Sequence, residues 1–177
     1  EIPSQLVPAG QTAAITFPWK KNTTYDWQFG MADPVSLDVA FNRMVWLAQN
    51  KDGLFQLMTS QGGMPEKISS KAIDVLFQMY SNLGSDNPFL DKNTAGFLYQ
   101  YENTIFYRLS AGDYDSTGIL DQLQHSNSIE YNFDTGTWAR CIEANGGRNR
   151  IQRHVFFNKK HFVTVDRDNT VYEMSGA

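Results

Sequence analysis

The sequence predicts a mainly β protein, a partial propeller-like array of about three antiparallel blades with one inserted amphipathic helix. Three observations carry that expectation. The 177 residues include 12 Phe, 8 Tyr and 4 Trp, and aromatic side chains suit a pleated, half-buried surface better than a helical bundle. Short runs of alternating apolar and polar residues recur between Asp, Asn and Gly turns, which is the period of a strand with one buried face. Similar strand–turn–strand segments also repeat. VWLAQNKDGLFQLMTS resembles FVTVDRDNTVYEMSGA, so Phe55 corresponds to Tyr172, and Tyr131 falls between them, 41 positions before Tyr172. A period near forty residues is how propeller blades show themselves in a sequence. Three blades do not close a ring of four or more, so the remainder is expected from further chain, or the blades form an open, sandwich-like sheet.

Taken in order, residues 1–34 read as an irregular connector punctuated by Pro3, Pro8, Gly10, Pro18, Gly30 and Pro34, with one short strand at Ala13 to Phe17. The propeller-like domain then runs over 35–177. It opens with strands at Leu37 to Ala40, Met44 to Ala48 and Leu54 to Thr59, turning at Asn42-Arg43 and at Asn50 to Gly53. The period changes after Pro65. Ile73, Leu76, Phe77 and Tyr80 fall at i, i+3, i+4 and i+7, one apolar face of a helix near 69–81. Ser69 or Ser70 supplies its N-cap, and Gly84 ends it. Strands at Ala95 to Tyr101 and Thr104 to Leu109 turn at Glu102-Asn103. A hairpin follows in SIEYNFDTGTWARC, with Asp134 and Gly136 in its turn and Trp138 packing across from Tyr131. Three short strands close the chain, with turns at Asn158-Lys159 and Asp168-Asn169.

Charge and cysteine content narrow the function. Fifteen basic and nineteen acidic residues give a net charge of −4, which argues against a dedicated nucleic-acid binder. No apolar run approaches the length of a membrane span. The single Cys141 excludes an internal disulfide and reads as a buried structural thiol. The chain starts at Glu1 and shows no secretory signal, so it is expected to be a piece of a longer, soluble product.

Candidate chemistry is sparse. In GDYDSTGILDQLQ, residues Asp113, Asp115, Thr117, Gly118 and Asp121 match positions one, three, five, six and nine of a calcium loop. The twelfth position is Gln124 where the loop needs a bidentate Glu, so a solvated surface loop stands beside the calcium reading. Arg148, Arg150, Arg153, Lys159 and Lys160 form a basic run with no acid between Gly146 and His161. Such a run fits phosphate contact, protection of a strand edge, or a subunit contact. His125, His154 and His161 lack metal-ligand spacing. No Gly-x-Ser-x-Gly elbow or glycine-rich phosphate loop occurs, and Asp134 reads as a turn residue ahead of any role in a carboxylate pair with Asp33, Asp38 or Asp91. Trp46 and Tyr107 read as core. The expectation is a protein with no cofactor and no enzymatic activity.

Landmarks in series carry a resemblance. GMADPVS, MVWLAQNKDGLFQL, MPEKISSKAIDVLFQMYS, YQYENTIFYRLS, SIEYNFDTGTWARC and NTVYEMS follow one another between Gly30 and Ser175. This order resembles the propeller region of the packaged-DNA stabilisation proteins of short-tailed bacteriophages (podoviruses), also described as tail hub or nozzle proteins. Its most specific element is Pro65, Ile68, Ser69, Ala72 and Ile73, followed by Phe106-Tyr107 and then by Tyr131, Asp134 and Trp138. Met31 stands where a Cys is frequent, and Asn103-Thr104 replace a Gly-His. The resemblance implies a virion structural protein of the phage tail, which helps retain packaged DNA and provides a channel for its ejection. It further implies a homo-oligomeric ring, commonly a hexamer, beside portal or adaptor and tail needle or fibre proteins. Double-stranded DNA would pass it without sequence specificity, as a mildly acidic wall favours. Ring contacts are expected on the loops Ser85 to Asn93 and Ala111 to Asn127. The alternative is a glycan-binding or glycan-cleaving propeller domain of a viral receptor-binding protein. A kelch-like module is disfavoured, because Gly62-Gly63 and Gly146-Gly147 sit at non-equivalent places.

Overall fold

The computed structural model describes residues 29–81, 95–110, 128–142, 151–165 and 170–174. They form three antiparallel sheets and one helix, a mainly β chain. The first sheet contains β1 (Phe29–Met31), β2 (Asp38–Ala40), β3 (Arg43–Asn50), β4 (Phe55–Ser60) and β5 (Glu66–Lys67). Strands β1 and β2 both pair with β3, and β4 and β5 follow. Helix α1 (Lys71–Ser81) comes next. The second sheet is a meander of β6 (Ala95–Tyr101), β7 (Thr104–Ser110), β8 (Ile129–Asn132) and β9 (Thr137–Arg140). The third holds β10 (Ile151–Phe157), β11 (Lys160–Val165) and β12 (Val171–Glu173). No sheet closes on itself among the described residues.

The three sheets share a device. The hairpins β2–β3, β6–β7 and β10–β11 each turn through two residues with positive φ, Phe41-Asn42, Glu102-Asn103 and Asn158-Lys159. Such turns match the right-handed twist of the strands they join. The strand after each hairpin then pairs with its second arm, giving β2–β3–β4, β6–β7–β8 and β10–β11–β12. Phe55, Tyr131 and Tyr172 all lie on the third strand of these units, the equivalence expected from the repeat. The first turn lies one residue earlier than the sequence pattern implies, which moves Arg43 into β3.

Sequence expectations elsewhere meet the structure closely. Helix α1 begins at Lys71, and Ser70 is its cap: the Oγ accepts from Ile73 N at 3.4 Å. Ser69 is used differently, accepting from Leu57 N and donating to Asp74. Asn132, and not Asp134, organises the hairpin turn, its Oδ1 accepting from the N–H groups of Asp134 and Thr135, while Gly136 takes the positive φ. Trp138 sits opposite Tyr131 with ring centroids 4.8 Å apart. One difference concerns the connector. Phe29–Met31, within residues 1–34, is a strand on β3, with Phe29 packed on Trp46, Ala48 and Met58. The expected strand at 13–17, the helix stop at Gly84 and the turn at Asp168-Asn169 lie outside the described residues.

Strand alternation splits the second sheet between two partners. Leu98, Tyr107, Leu109 and Ile129 face Val45, Leu47, Phe55 and Leu57 of the first sheet, with Phe77 of α1 completing the core. Phe97 and Tyr99 face the other way, onto Ile151 and Val163 of the third sheet, with Phe106 against them. The sheets therefore stack in chain order, the second packed on both faces.

Candidate functional site

Each of the two seams of this stack carries a cluster of polar side chains. At the first seam the short 3-10 helix Pro34–Ser36 lies against β3 and β6. Asp33 caps it, its Oδ1 accepting from Val35 N. Ser36 Oγ donates to the Asp33 carbonyl and accepts from Leu47 N, while the Ser36 carbonyl accepts from the Tyr107 hydroxyl at 2.6 Å. Asp38 Oδ2 accepts from Leu98 N at 2.6 Å. Gly96 is required beside them. A Cβ there would overlap the Ser36 carbonyl oxygen and the Tyr107 hydroxyl. Tyr107 is fully buried, and burial, reinforced by Asp38 and Asp33, raises its phenol well above the ordinary value. Burial also raises the Asp33 carboxyl, against the pull of Val35 N–H and of Arg153. Its Oδ2 is enclosed without a hydrogen-bond partner.

The second seam joins β6 to β10 and β11. His154 on β10 and His161 on β11 are diagonal neighbours across the Asn158-Lys159 turn. His154 Nε2 lies 2.8 Å from His161 Nδ1, and His161 Nε2 lies 3.0 Å from the Gln100 carbonyl oxygen on β6. Aromatic rings flank them. Phe97 stacks on His154 at 4.7 Å, Phe156 meets His161 at 4.7 Å, and Tyr99 presents an edge contact to His161 at 5.9 Å. Burial pushes the His154 imidazole down to about 4, with His161 and Arg108 acting the same way and Asp38 opposing them.

Tyr99 links this seam to a charged cluster. Its hydroxyl donates to Glu130 Oε2 at 2.6 Å, and Arg108 grips the same oxygen through Nε at 2.8 Å and a terminal nitrogen at 2.6 Å. Arg108 and Glu130 stand opposite each other on β7 and β8, both largely buried. Paired charges with satisfied hydrogen bonds are how a chain tolerates such burial. Tyr99 is raised by its own burial, with Glu130 adding to the effect and Arg108 opposing it. Cys141 lies near this cluster, and burial raises its thiol to about 11. Cys141 is only partly buried and lies just past β9 (Thr137–Arg140), not inside a strand as the sequence pattern implies; a thiol held protonated is a poor nucleophile.

The basic run is only partly drawn together. Arg148 and Arg150 lie outside the described residues. Arg153 is exposed on β10, Lys159 occupies the turn, and Lys160 on β11 pairs with Glu173 of β12 at 2.8 Å. An acid thus reaches this run from the neighbouring strand. Strand β10 is an edge of its sheet, so Arg153 sits where a charge discourages edge pairing. The calcium-loop candidates Asp113, Asp115, Thr117 and Asp121, with Gln124, lie outside the described residues, as do His125, Asp91 and the loops 85–93 and 111–127. Asp33 and Asp38 accept backbone N–H bonds at the first seam, whereas Asp134 is an exposed turn residue. Trp46 and Tyr107 are buried, as expected of core residues.

The histidine pair was within reach of the sequence. A two-residue turn at Asn158-Lys159 sets Phe156 opposite His161 and His154 opposite Val163, which makes the imidazoles diagonal neighbours. Metal-ligand spacing was the wrong signal to look for. Hairpin register was the right one. No protein-family model matches the chain, and no curated protein gives a significant match.

Proposed function

We propose that this chain is part of a virion structural protein of a short phage tail, a hub or nozzle ring that retains packaged DNA and gives it a channel at ejection. The observation carrying this reading is the stacked repeat: three sheets, each built on the same tight-turn meander, packed face to face in chain order. Consecutive propeller blades stack in this manner. It joins the ordered landmarks from Gly30 to Ser175, whose resemblance points to the tail proteins. Helix α1, inserted between the first two sheets in sequence, seats Phe77 in their shared core.

The third sheet adds a second line of support. Val155 and Phe157 on β10 and Val171 on β12 are exposed on the two outer strands of this sheet, Phe157 at 70%. A sheet with apolar residues on its open face is completed by another layer, here a further blade or a neighbouring subunit. A ring needs such a contact between unlike faces of successive copies. Apart from Asp33 Oδ2, the polar groups named at the two seams bond to one another or to backbone, an arrangement that serves a scaffold better than a reaction centre.

Native mass spectrometry of the full-length product tests the reading. A closed assembly of about six copies is the expected result. A monomer across the accessible concentration range, in a particle whose DNA is retained without this protein, would overturn it.

A further inference from the structure

We propose that His154 and His161 form an acid-released latch between the second and third sheets. The pair sits where β10 and β11 meet β6, and it has one route to the second sheet through a hydrogen bond and another through ring stacking. His161 Nε2 donates to the Gln100 carbonyl, so in the neutral pair its Nδ1 is bare and accepts from His154 Nε2–H. His154 in turn lies flat on Phe97 of β6, at an interplanar angle of 15°.

Donor counting sets the response to acid. The neutral pair holds two ring protons, one in each of its two bonds. One added proton leaves the bond between the rings in place, because a doubly protonated His154 still donates through Nε2, but burial against Phe97 opposes its charge. A second added proton places N–H against N–H across the 2.8 Å gap and sets two cations in rings 5.1 Å apart. The bond between the rings is then lost and like charges face each other.

The surroundings fix which way the equilibrium runs. From β10 itself Arg153 adjoins His154 in sequence, from β11 Lys160 adjoins His161, and Lys160 is taken up by Glu173 of β12. From β6 come the rings of Phe97 and Tyr99 and the Gln100 carbonyl. From β7 comes Arg108, which disfavours a cation at His154, and from β2 comes Asp38, which favours one. Glu130 of β8 is committed to Arg108 and Tyr99. Burial against Phe97 joins the cationic side, so His154 gains a proton more easily once the seam has opened. Acid therefore favours the open seam through the interval from about 6.5, the ordinary imidazole value, down to about 4. The third sheet is small, and its apolar anchorage is Ile151 and Val163 against Phe97 and Tyr99. Three short strands without a packed face are marginal alone, so loosening the latch frees the whole sheet.

Hydrogen exchange on the intact chain, read as protection factors so that intrinsic pH effects cancel, tests this. Between pH 6.5 and pH 4.5 the amides of β10 and β11 are expected to lose protection by at least about tenfold, while those of β3 and β7 hold theirs. His154→Phe keeps the stack on Phe97 and removes the titration, so its third-sheet protection stays flat over that interval. His161→Gln, which keeps a donor for the Gln100 carbonyl and removes the second imidazole, makes the loss smaller without abolishing it, because His154 stays buried against Phe97. Wild-type protection unchanged at pH 4.5, or a loss of equal size and midpoint in whichever variant folds, would overturn the latch. An NMR titration of wild-type His154 gives an answer without either variant. A midpoint near the ordinary imidazole value with the sheet still docked would also overturn it.

Discussion

The two faces of the second sheet are joined to their neighbours in contrasting ways. Toward the first sheet the join is tightly packed: Tyr107, Leu47, Leu57 and Val45 are fully buried, and Ser36, Asp38 and the Tyr107 hydroxyl tie strand to strand through hydrogen bonds to backbone. Toward the third sheet it is smaller and partly open, made of four buried apolar residues, a pair of imidazoles and a stacked run of rings. Burial of apolar area supplies most of the cohesion in either case. What distinguishes them is the polar complement, which locks one seam and makes the other answer to protons. The lesson is that one meander, used repeatedly, yields joints of unequal strength according to a few side chains at each crossing.

The rigid seam breaks hardest at Gly96. Gly96→Ala drives a methyl into the Ser36 carbonyl, which is backbone and cannot swing aside. A loss of about 3 kcal/mol or more in urea unfolding is expected, with the whole chain losing cooperativity. A loss below ~1 kcal/mol would show that the 3-10 helix can retreat from β6. The charged cluster comes next. Glu130→Gln leaves Arg108 largely buried without its anion, and a cost of about 2 kcal/mol is expected, discounted from a fully buried pair for the solvent that reaches it. Because Glu130 also holds Tyr99, the third sheet should exchange faster in this variant than the first. The smallest effect belongs to Tyr107→Phe, which removes one donor from the Ser36 carbonyl and keeps the ring. About 1 kcal/mol is expected, lowering global stability without changing the response of the third sheet to acid. Equal acid responses in Glu130→Gln and Tyr107→Phe would erase the contrast between the seams.

Much of the architecture was legible in local pattern. Period-two runs and the residues between them place the hairpins to within a residue, because turn chemistry is local. The helical face of Ile73, Leu76 and Phe77 packs on the core as its spacing implies. The first seam was illegible for the opposite reason. Ser36 and Tyr107 are 71 positions apart, Asp38 and Leu98 are 60 apart, and no periodicity marks which small residue must admit a carbonyl. Gly96 reads as an ordinary strand glycine until the 3-10 helix is laid against it. The role of Phe29–Met31 was hidden by the prolines and glycines around it, which signal irregular chain more loudly than three residues signal a strand. The imidazole pair lay between these extremes, derivable from one turn yet invisible to a search for metal motifs.

Trp138 carries a consequence of its own. Its indole N–H donates to the Ile68 carbonyl at 3.0 Å, just ahead of the helix, from the outermost strand of the second sheet. Trp46 lies across the first sheet, beside Met58 and Ala48. Among the described residues the third sheet holds no tryptophan. Emission from Trp46 and Trp138 therefore reports on the helix and the first two layers, which sets these two indoles apart from the layer that carries the imidazole pair. A melt followed through these two indoles would track the rigid seam and leave the third sheet to hydrogen exchange.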